Sequence, residues 1–467
     1  MDILNIANEP VFDERIVKYE MHTYNPYANT TLGHSDEIRI PIQQQDLYTL
    51  PCESFLYIEE KLVTNPTDEA RDNVCIMRNN CVAFMFDKMR YELDGVEIDR
   101  NRNVEITSTI KNYISLTTEK SKTLKYASWN PNGYPLINEY FNFCIPFNTL
   151  LGFCEDYKRI VINARHELVL MRSRNDNNCL IARAGTNPMI ELLKIQWRMP
   201  HVVLSKVNKL SLLRTLESGR YLSMCFRSWD LYEFPMLQNT TKHSWAVKAA
   251  TQLEKPRYVI FALQTGRKNV LSENTAQFDV NSPMNRYAIL YNMYAGFRKA
   301  YYGFDNTYLD IDEFLKAGPF IVIDCSRQND FVKSATVDVR IEFYCKENIP
   351  ANNTAYCLFI HDRMVEYNPL NNVVRRLARS LINNAIGTEP PLIYVKGLEK
   401  KKWLCEILED DVEIETINVD YEDITRLKDL DVIGTLRCGY HTRHCAMQNV
   451  CKLYKWWFER NKHVKQL

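Results

Sequence analysis

From Thr336 to Cys345 the chain alternates strictly, with Val337, Val339, Ile341, Phe343 and Cys345 interleaved with Asp338, Arg340, Glu342 and Tyr344. A period of two puts the first set on one surface of a pleated strand and the second set on the other, which helical geometry cannot do. Glu37 to Ile42 repeats the pattern, setting Ile38, Ile40 and Ile42 against Glu37, Arg39 and Pro41. Pro41 cannot donate to a ladder, so this strand is expected at an edge or beside a bulge. Lys88 to Leu93 alternates too, and Asp94-Gly95 then supplies a type I′ turn into Val96 and Ile98, which predicts a hairpin. Weaker strand signals fall at Phe55 to Glu59, Phe141 to Phe147, Lys158 to Asn163, Glu167 to Met171, Leu193 to Trp197 and His201 to Ser205. They continue at Tyr221 to Arg227, Trp245 to Ala249, Arg257 to Leu263, Phe320 to Asp324, Ala355 to His361 and Met364 to Tyr367.

Two stretches carry helical spacing instead. Val104 to Leu116 places Ile106, Ile110, Tyr113 and Ile114 on one face, with Asn103 as the expected N-cap. Asn285 to Tyr302 carries the stripe Tyr287, Leu290, Tyr291, Tyr294, Phe297 and Tyr301, which suits a helix covering a sheet. Each half of the chain thus reads as strands, a helix, then more strands, and predicts a β-sandwich. A jelly roll is one topology that buries such strands while limiting exposed edges, and the pattern alone leaves the topology open.

The division expected is an extended N-terminal arm over residues 1–34, a first sandwich over 35–200, a second over 201–375, a linker over 376–391 and a small α/β tail over 392–467. In the tail, Leu392 to Val395 and Val412 to Val419 read as strands, Leu398 to Leu408 as a helix, and Ala446 to Phe458 as a closing amphipathic helix. The fold class is therefore mainly β, two tandem sandwiches plus a small C-terminal α/β unit.

Composition narrows the function. The 46% hydrophobic content, with 27 Tyr and 20 Phe among 467 residues, is that of a folded chain with ample core. Lys+Arg 58 balances Asp+Glu 58, so there is no global positive field to draw the chain onto phosphate, and sequence-specific nucleic-acid binding is not expected. No basic-then-apolar leader opens the sequence and no apolar run reaches about 18 residues, so neither a membrane partner nor ordinary secretion is expected. The 14 Cys are scattered, as buried thiols of a reducing compartment would be, which predicts an intracellular protein of cytoplasm or nucleus. The Asn-x-Ser/Thr matches at Asn29, Asn239 and Asn352 then meet no glycosylation machinery.

Several stretches taken in order resemble a known family. They are Ser35-Asp36-Glu37-Ile38-Arg39-Ile40-Pro41-Ile42-Gln43-Gln44-Gln45-Asp46 with Leu50-Pro51, Thr265-Gly266-Arg267-Lys268-Asn269, Phe297-Arg298-Lys299 with Tyr301-Tyr302-Gly303, and Gly318-Pro319-Phe320-Ile321-Val322-Ile323-Asp324-Cys325-Ser326-Arg327-Gln328. Lys333-Ser334-Ala335-Thr336-Val337-Asp338-Val339-Arg340 and Ile360-His361-Asp362-Arg363 complete the set. Together they resemble the double jelly-roll capsid-like proteins of insect genomes, similar to the major capsid proteins of Polinton (Maverick) elements and large DNA viruses. The resemblance covers most of residues 10–375 and leaves the tail outside it. It implies two jelly rolls side by side, homotrimers of pseudo-hexagonal outline, and trimers tiling a shell, with no enzymatic activity and no small-molecule substrate.

Candidate chemistry is sparse. Cys438, His441, His444 and Cys445 offer four soft donors within eight residues, the donor set of a zinc site, although His444 and Cys445 are adjacent where structural sites bring two separated pairs. Packing or capping is the competing reading for all four. Asp324, Cys325, Ser326 and Asp330 read as a turn after a strand, and His361-Asp362-Arg363 as a tight turn between strands. Gly266 to Asn269 reads as a solvated basic loop, and Trp456-Trp457 as core packing of the tail helix. No phosphate loop, nucleophile elbow or His-Glu-x-x-His stands in the sequence, so no catalytic residue and no cofactor is assigned. Two other classes stay open: a sandwich binding a carbohydrate or host protein through the polar loop that starts at Gln264, and a metal-dependent nuclease-like tail using Asp420, Glu422 and Asp423.

Overall fold

The computed structural model describes residues 16–43, 48–63, 75–131, 133–135, 140–182, 188–217, 219, 221–247, 256–266, 269–271, 288–317, 320–326, 338–344, 348–349, 352–377, 434–439 and 445–449. Its first half contains β1 (Ile16–Tyr24), β2 (Glu37–Ile42), β3 (Phe55–Val63), β4 (Phe86–Leu93), β5 (Val96–Arg102), α1 (Val104–Ser115), β6 (Tyr140–Pro146), the one-turn α2 (Gly152–Asp156), β7 (His166–Arg172) and β8 (Met189–Leu204). There follow α3 (Lys206–Glu217), β9 (Leu222–Phe234), β10 (Lys242–Val247), β11 (Pro256–Thr265), α4 (Ala288–Tyr302), β12 (Ile321–Asp324), β13 (Asp338–Tyr344), β14 (Asn353–Asn368), β15 (Val373–Leu377), β16 (Gly434–Gly439) and β17 (Cys445–Asn449).

In the first sandwich, β8 lies between β1 on one side and β3 on the other, and β6 continues beyond β3. The facing sheet runs β2-β7-β4-β5. The alternation seen in the sequence is what fills the space between them, since Ile38, Ile40 and Ile42 of β2 and Met89, Tyr91 and Leu93 of β4 are fully buried. Tyr91 meets Trp197 of β8 edge-on, with ring centroids 5.5 Å apart, and so ties the two sheets together. The predicted hairpin is present, and both turn residues take positive φ, Asp94 at 48° and Gly95 at 80°, as a type I′ turn needs.

The second sandwich sets β9-β14-β11-β12, with β15 beside the end of β14, against β10-β13-β16-β17. Phe234 of β9 stacks on Trp245 of β10 at 5.5 Å. In β13, Val339 and Ile341 are buried and Arg340 is exposed, as the alternation requires. The stripe of α4 is core, with Leu290, Tyr294, Phe297 and Tyr301 buried over β12 and its neighbours.

Several local expectations are corrected. Ile16–Tyr24, inside the segment expected to be an extended arm, is a regular strand of the first sandwich, paired antiparallel to β8 and anchored where His22 stacks on His201 at 4.1 Å and Tyr24 Oη meets His201 Nε2 at 3.0 Å. Leu193 to Trp197 and His201 to Ser205 are one strand, β8, which runs through the expected boundary at 200/201. Pro200 is tolerated there because its carbonyl still accepts from Leu50 N and it has no donor to leave unpaired. Asn103 does not cap α1; it sits at φ 48° with no side-chain cap, and Thr107 Oγ1 instead donates back to the Arg102 carbonyl. Residues 446–449, expected to open a closing helix, belong to β17, because β16 and β17 extend the otherwise open edge of β13. The other tail elements lie outside the described residues. Helix α3 has no counterpart among the elements expected from the sequence.

One buried group sets a pH response. His166 of β7 lies between Thr49 Oγ1 at 2.9 Å and Tyr91 Oη at 2.8 Å, and burial pushes its pKa down to about 3. Folded protein therefore excludes a proton that the unfolded chain takes up below its ordinary value of about 6.5. This group's contribution is intact above pH 6.5 and erodes by about 1.4 kcal/mol per unit as pH falls toward 3. Urea midpoints measured from pH 7 to pH 4 should fall more shallowly, by one proton's worth, in His166→Gln than in the unaltered chain.

Candidate functional site: the junction between the sandwiches

The most chemically loaded part of the described structure is the seam where the two sandwiches meet. Helix α1 fills it and is buried on nearly every side, including Glu105, Thr107, Ser108, Thr109, Lys111 and Asn112. A helix whose polar face has no access to water must find partners for each group it buries.

Lys111 shows how this is met. Its Nζ donates to Glu155 Oε1 of α2 at 2.7 Å and to Tyr302 Oη of α4 at 2.8 Å, and it sits 4.6 Å from the ring centre of Trp229 of β9. Tyr301 Oη and Tyr302 Oη both donate to the Glu155 carboxylate. Burial lowers the pKa of Lys111, with Glu155 pulling the other way. Burial also opposes the charge on Glu155, but Lys111 and Arg227 hold its carboxyl below the usual range. The pair therefore stays ionised because each member compensates the other.

Beside it, Arg227 of β9 grips Asp156 of α2 through Nε at 2.7 Å, Nη2 at 2.5 Å and its backbone N–H at 2.8 Å, while its guanidinium lies 3.4 Å from the Tyr301 ring centre. This fork geometry is specific to arginine. The backbones approach so closely that a Cβ on Gly152 would lie 1.8 Å from the Arg227 carbonyl oxygen. Only glycine fits.

A second cluster centres on Asp99 of β5, which is buried and accepts from Phe153 N at 2.9 Å, Arg100 N at 3.0 Å and Ser228 Oγ of β9 at 3.0 Å. Arg363 of β14 stands 3.8 Å away and donates to the Ile98 carbonyl at 3.3 Å. Burial pushes the Asp99 carboxyl up to about 6 against the pull of Arg363 and those hydrogen bonds. His361, 3.4 Å from Asp230, is driven by burial down to about 4. Further out, Tyr367 Oη donates to the Ile162 carbonyl at 2.5 Å, Arg376 pairs with Glu97 at 3.1 Å, and Asn177 and Asn178 bond Asn269. These bonds run from residues before 180 to residues after 220. They have the chemistry of mortar: donors and acceptors meet one another, and aromatic rings close over the charges.

The residues singled out in the sequence are scattered by comparison. His361-Asp362-Arg363 is not a turn; it lies in the middle of β14, where its polar groups face Asp99, Asp230 and Arg257. Asp324 Oδ1 does accept from Ser326 N at 2.8 Å, as a turn would have it, and Cys325 is buried; Asp330 lies outside the described residues. Cys438 of β16 and Cys445 of β17 are register partners, while His441, His444, Asp420, Glu422, Asp423, Trp456 and Trp457 lie outside the described residues. Among the described residues no cluster of three or more His, Cys, Asp or Glu is placed to hold a metal, and no helix is long and apolar enough to cross a membrane. Sequence reading missed Lys111, Glu155, Asp156 and Arg227. The one available signal was a lysine set among the apolar positions of α1.

A family model for the double jelly roll-like domain matches residues 75–283 and 279–365. Among solved structures, a chain of the Sputnik virophage is similar with TM-score 0.53 at 10% identity, over 91% of this chain and 97% of that one. VP54 of the virus PBCV-1 gives TM-score 0.49 at 9% identity, over 79% and 99%, and the mavirus major capsid protein 0.44 at 8%, over 80% and 92%. No curated protein matches the chain.

Removing one partner from the buried pair should expose its cost. Lys111→Met is expected to destabilise by about 3–5 kcal/mol, and Lys111→Met combined with Glu155→Gln by clearly less than the sum of the two single changes, read from urea denaturation. Gly152→Ala should cost more than about 3 kcal/mol or prevent soluble expression, because backbone cannot yield to the added methyl.

Proposed function

The chain belongs to the double jelly roll-like domain family, and from that premise we propose that it is a structural, capsid-like protein that works by association with copies of itself. The observation that carries this reading is the seam: two sandwiches joined by the Arg227–Asp156 ion pair, the Lys111–Tyr302 hydrogen bond and a glycine-limited backbone contact form a block, and a block is what a shell needs. The similarity to the Sputnik chain over nearly its whole length supports it. The closed unit is a homotrimer, in which three pairs of sandwiches give a six-sided outline. Its ancestry lies with viral or Polinton-type elements. Its role is structural rather than catalytic, in keeping with the double jelly roll-like domain it carries. Assembly takes place in the cytoplasm or nucleus, where thiols remain reduced; Cys52, Cys81, Cys154, Cys179 and Cys357 are among the cysteines that are free.

Stable association needs about 800 Å² from each partner per contact, which the outer faces of two sandwiches can supply. Sedimentation of purified full-length chain at tens of micromolar should give three times the 55.0 kDa chain mass. A single 55.0 kDa species at that concentration would refute self-association.

A further inference from the structure

Among the described residues β1 pairs with β8 alone, so its other edge presents unpaired backbone groups. Edge strands are normally blunted by proline, by brevity or by a charge placed on the apolar face. This one has nine residues, no proline, and Ile16, Val17, Tyr19 and Met21 all exposed, Val17 at 67%. The register Ile16↔Leu204 places the start of α3 at the same end, where Val207, at 77%, Leu210 and Leu213 are exposed too, beside Val203. An exposed apolar surface of this extent around an open edge marks a contact site.

The charges on β1 indicate what fits it. Lys18 and Glu20 lie side by side on one face of the strand and form an ion pair. When a strand pairs antiparallel with a copy of itself, opposed side chains must share a face, so the two-fold axis can pass only through a residue. Centred on Lys18, the pairing would oppose two lysines; centred on Glu20, two glutamates. Centred on Tyr19, it opposes each Lys18 to a Glu20 and makes a square of alternating charge, while Val17 faces Met21 on the other surface. Like charges directly opposed destabilise a ladder and unlike charges stabilise it, so among the registers centred on the charged stretch Lys18 to Glu20 the charges favour the one at Tyr19.

We propose that β1 is a self-complementary docking edge, through which two copies of this chain join antiparallel about a two-fold axis at Tyr19. The inference rests on the self-association proposed above and adds a contact that a trimer axis does not generate, one able to link closed units to each other. The bulge between Ile16 and Lys18 leaves Val17 without a partner on β8 and limits the regular run, which keeps this contact weak and reversible.

The test is a charge-reversal cycle read two ways on the full chain. In a Tyr19→Cys background, mild oxidation should yield a disulfide-linked dimer that the unaltered chain, with its own exposed Cys225, does not form. Adding Lys18→Glu should slow that cross-link by roughly tenfold, and adding Glu20→Lys as well should restore it. With Tyr19 intact, sedimentation should show the larger assemblies weakened by Lys18→Glu and recovered in the double variant. If assemblies persist and neither readout responds to the charges, self-association stands and this edge is refuted. If no variant, nor the unaltered chain, associates at all, both readings fall.

Discussion

The structure depends on a constraint at one place: largely buried charged groups lie between the two sandwiches, and they are held by partners from both sides, with Arg227–Asp156 and Arg363–Asp99 pairing across the seam. Lys111 and Glu155 of the first half meet Trp229, Tyr301 and Tyr302 of the second, and Asp156 is held by Arg227 across a gap that admits no Cβ at Gly152. Buried ion pairs of this kind add little net stability compared with an apolar filling, yet separating them is costly because each half would be left with uncompensated charge. The consequence is directional. The sandwiches have one favoured relative placement, set by hydrogen-bond geometry, rather than the range of placements that a greasy seam would permit.

That placement links folding to function. If the chain builds larger objects from copies of itself, as proposed, it must deliver its outer surfaces at fixed angles, and looseness at an internal seam would spread to every contact. The aromatic rings stacked around the seam serve the same end, since they exclude water from the ion pairs and keep the effective dielectric low. The outward faces can then vary, and at β1 an exposed apolar edge with an ordered charge pattern replaces the usual protection.

Much of the framework was legible in the residues. Alternation at Glu37 to Ile42, at Lys88 to Leu93 and around Val339 to Ile341 gave strands with the right faces inward, and Asp94-Gly95 gave the turn. What could not be read was anything decided by a distant partner. The expected boundary at 200/201 does not interrupt β8, because the neighbouring strands ask only for the carbonyl of Pro200. His361-Asp362-Arg363 looked like a turn because three polar residues in a row usually are one, and the groups that satisfy them, Asp99, Asp230 and Arg257, are more than a hundred residues away. The seam was invisible for the same reason: Lys111 in α1 and Arg227 in β9 are ordinary surface-type residues until the fold removes the water around them. The resemblance to capsid-like proteins supplied the pairing of two jelly rolls, which periodicity had left open.

The most direct test of the account is imaging of the purified full-length chain by negative-stain electron microscopy at association-competent concentration. The account predicts closed particles with a six-sided outline in which paired lobes keep one constant spacing and angle. Class averages showing isolated two-lobed particles, with the lobes at variable angles to each other, would contradict both the rigid seam and the shell-forming role.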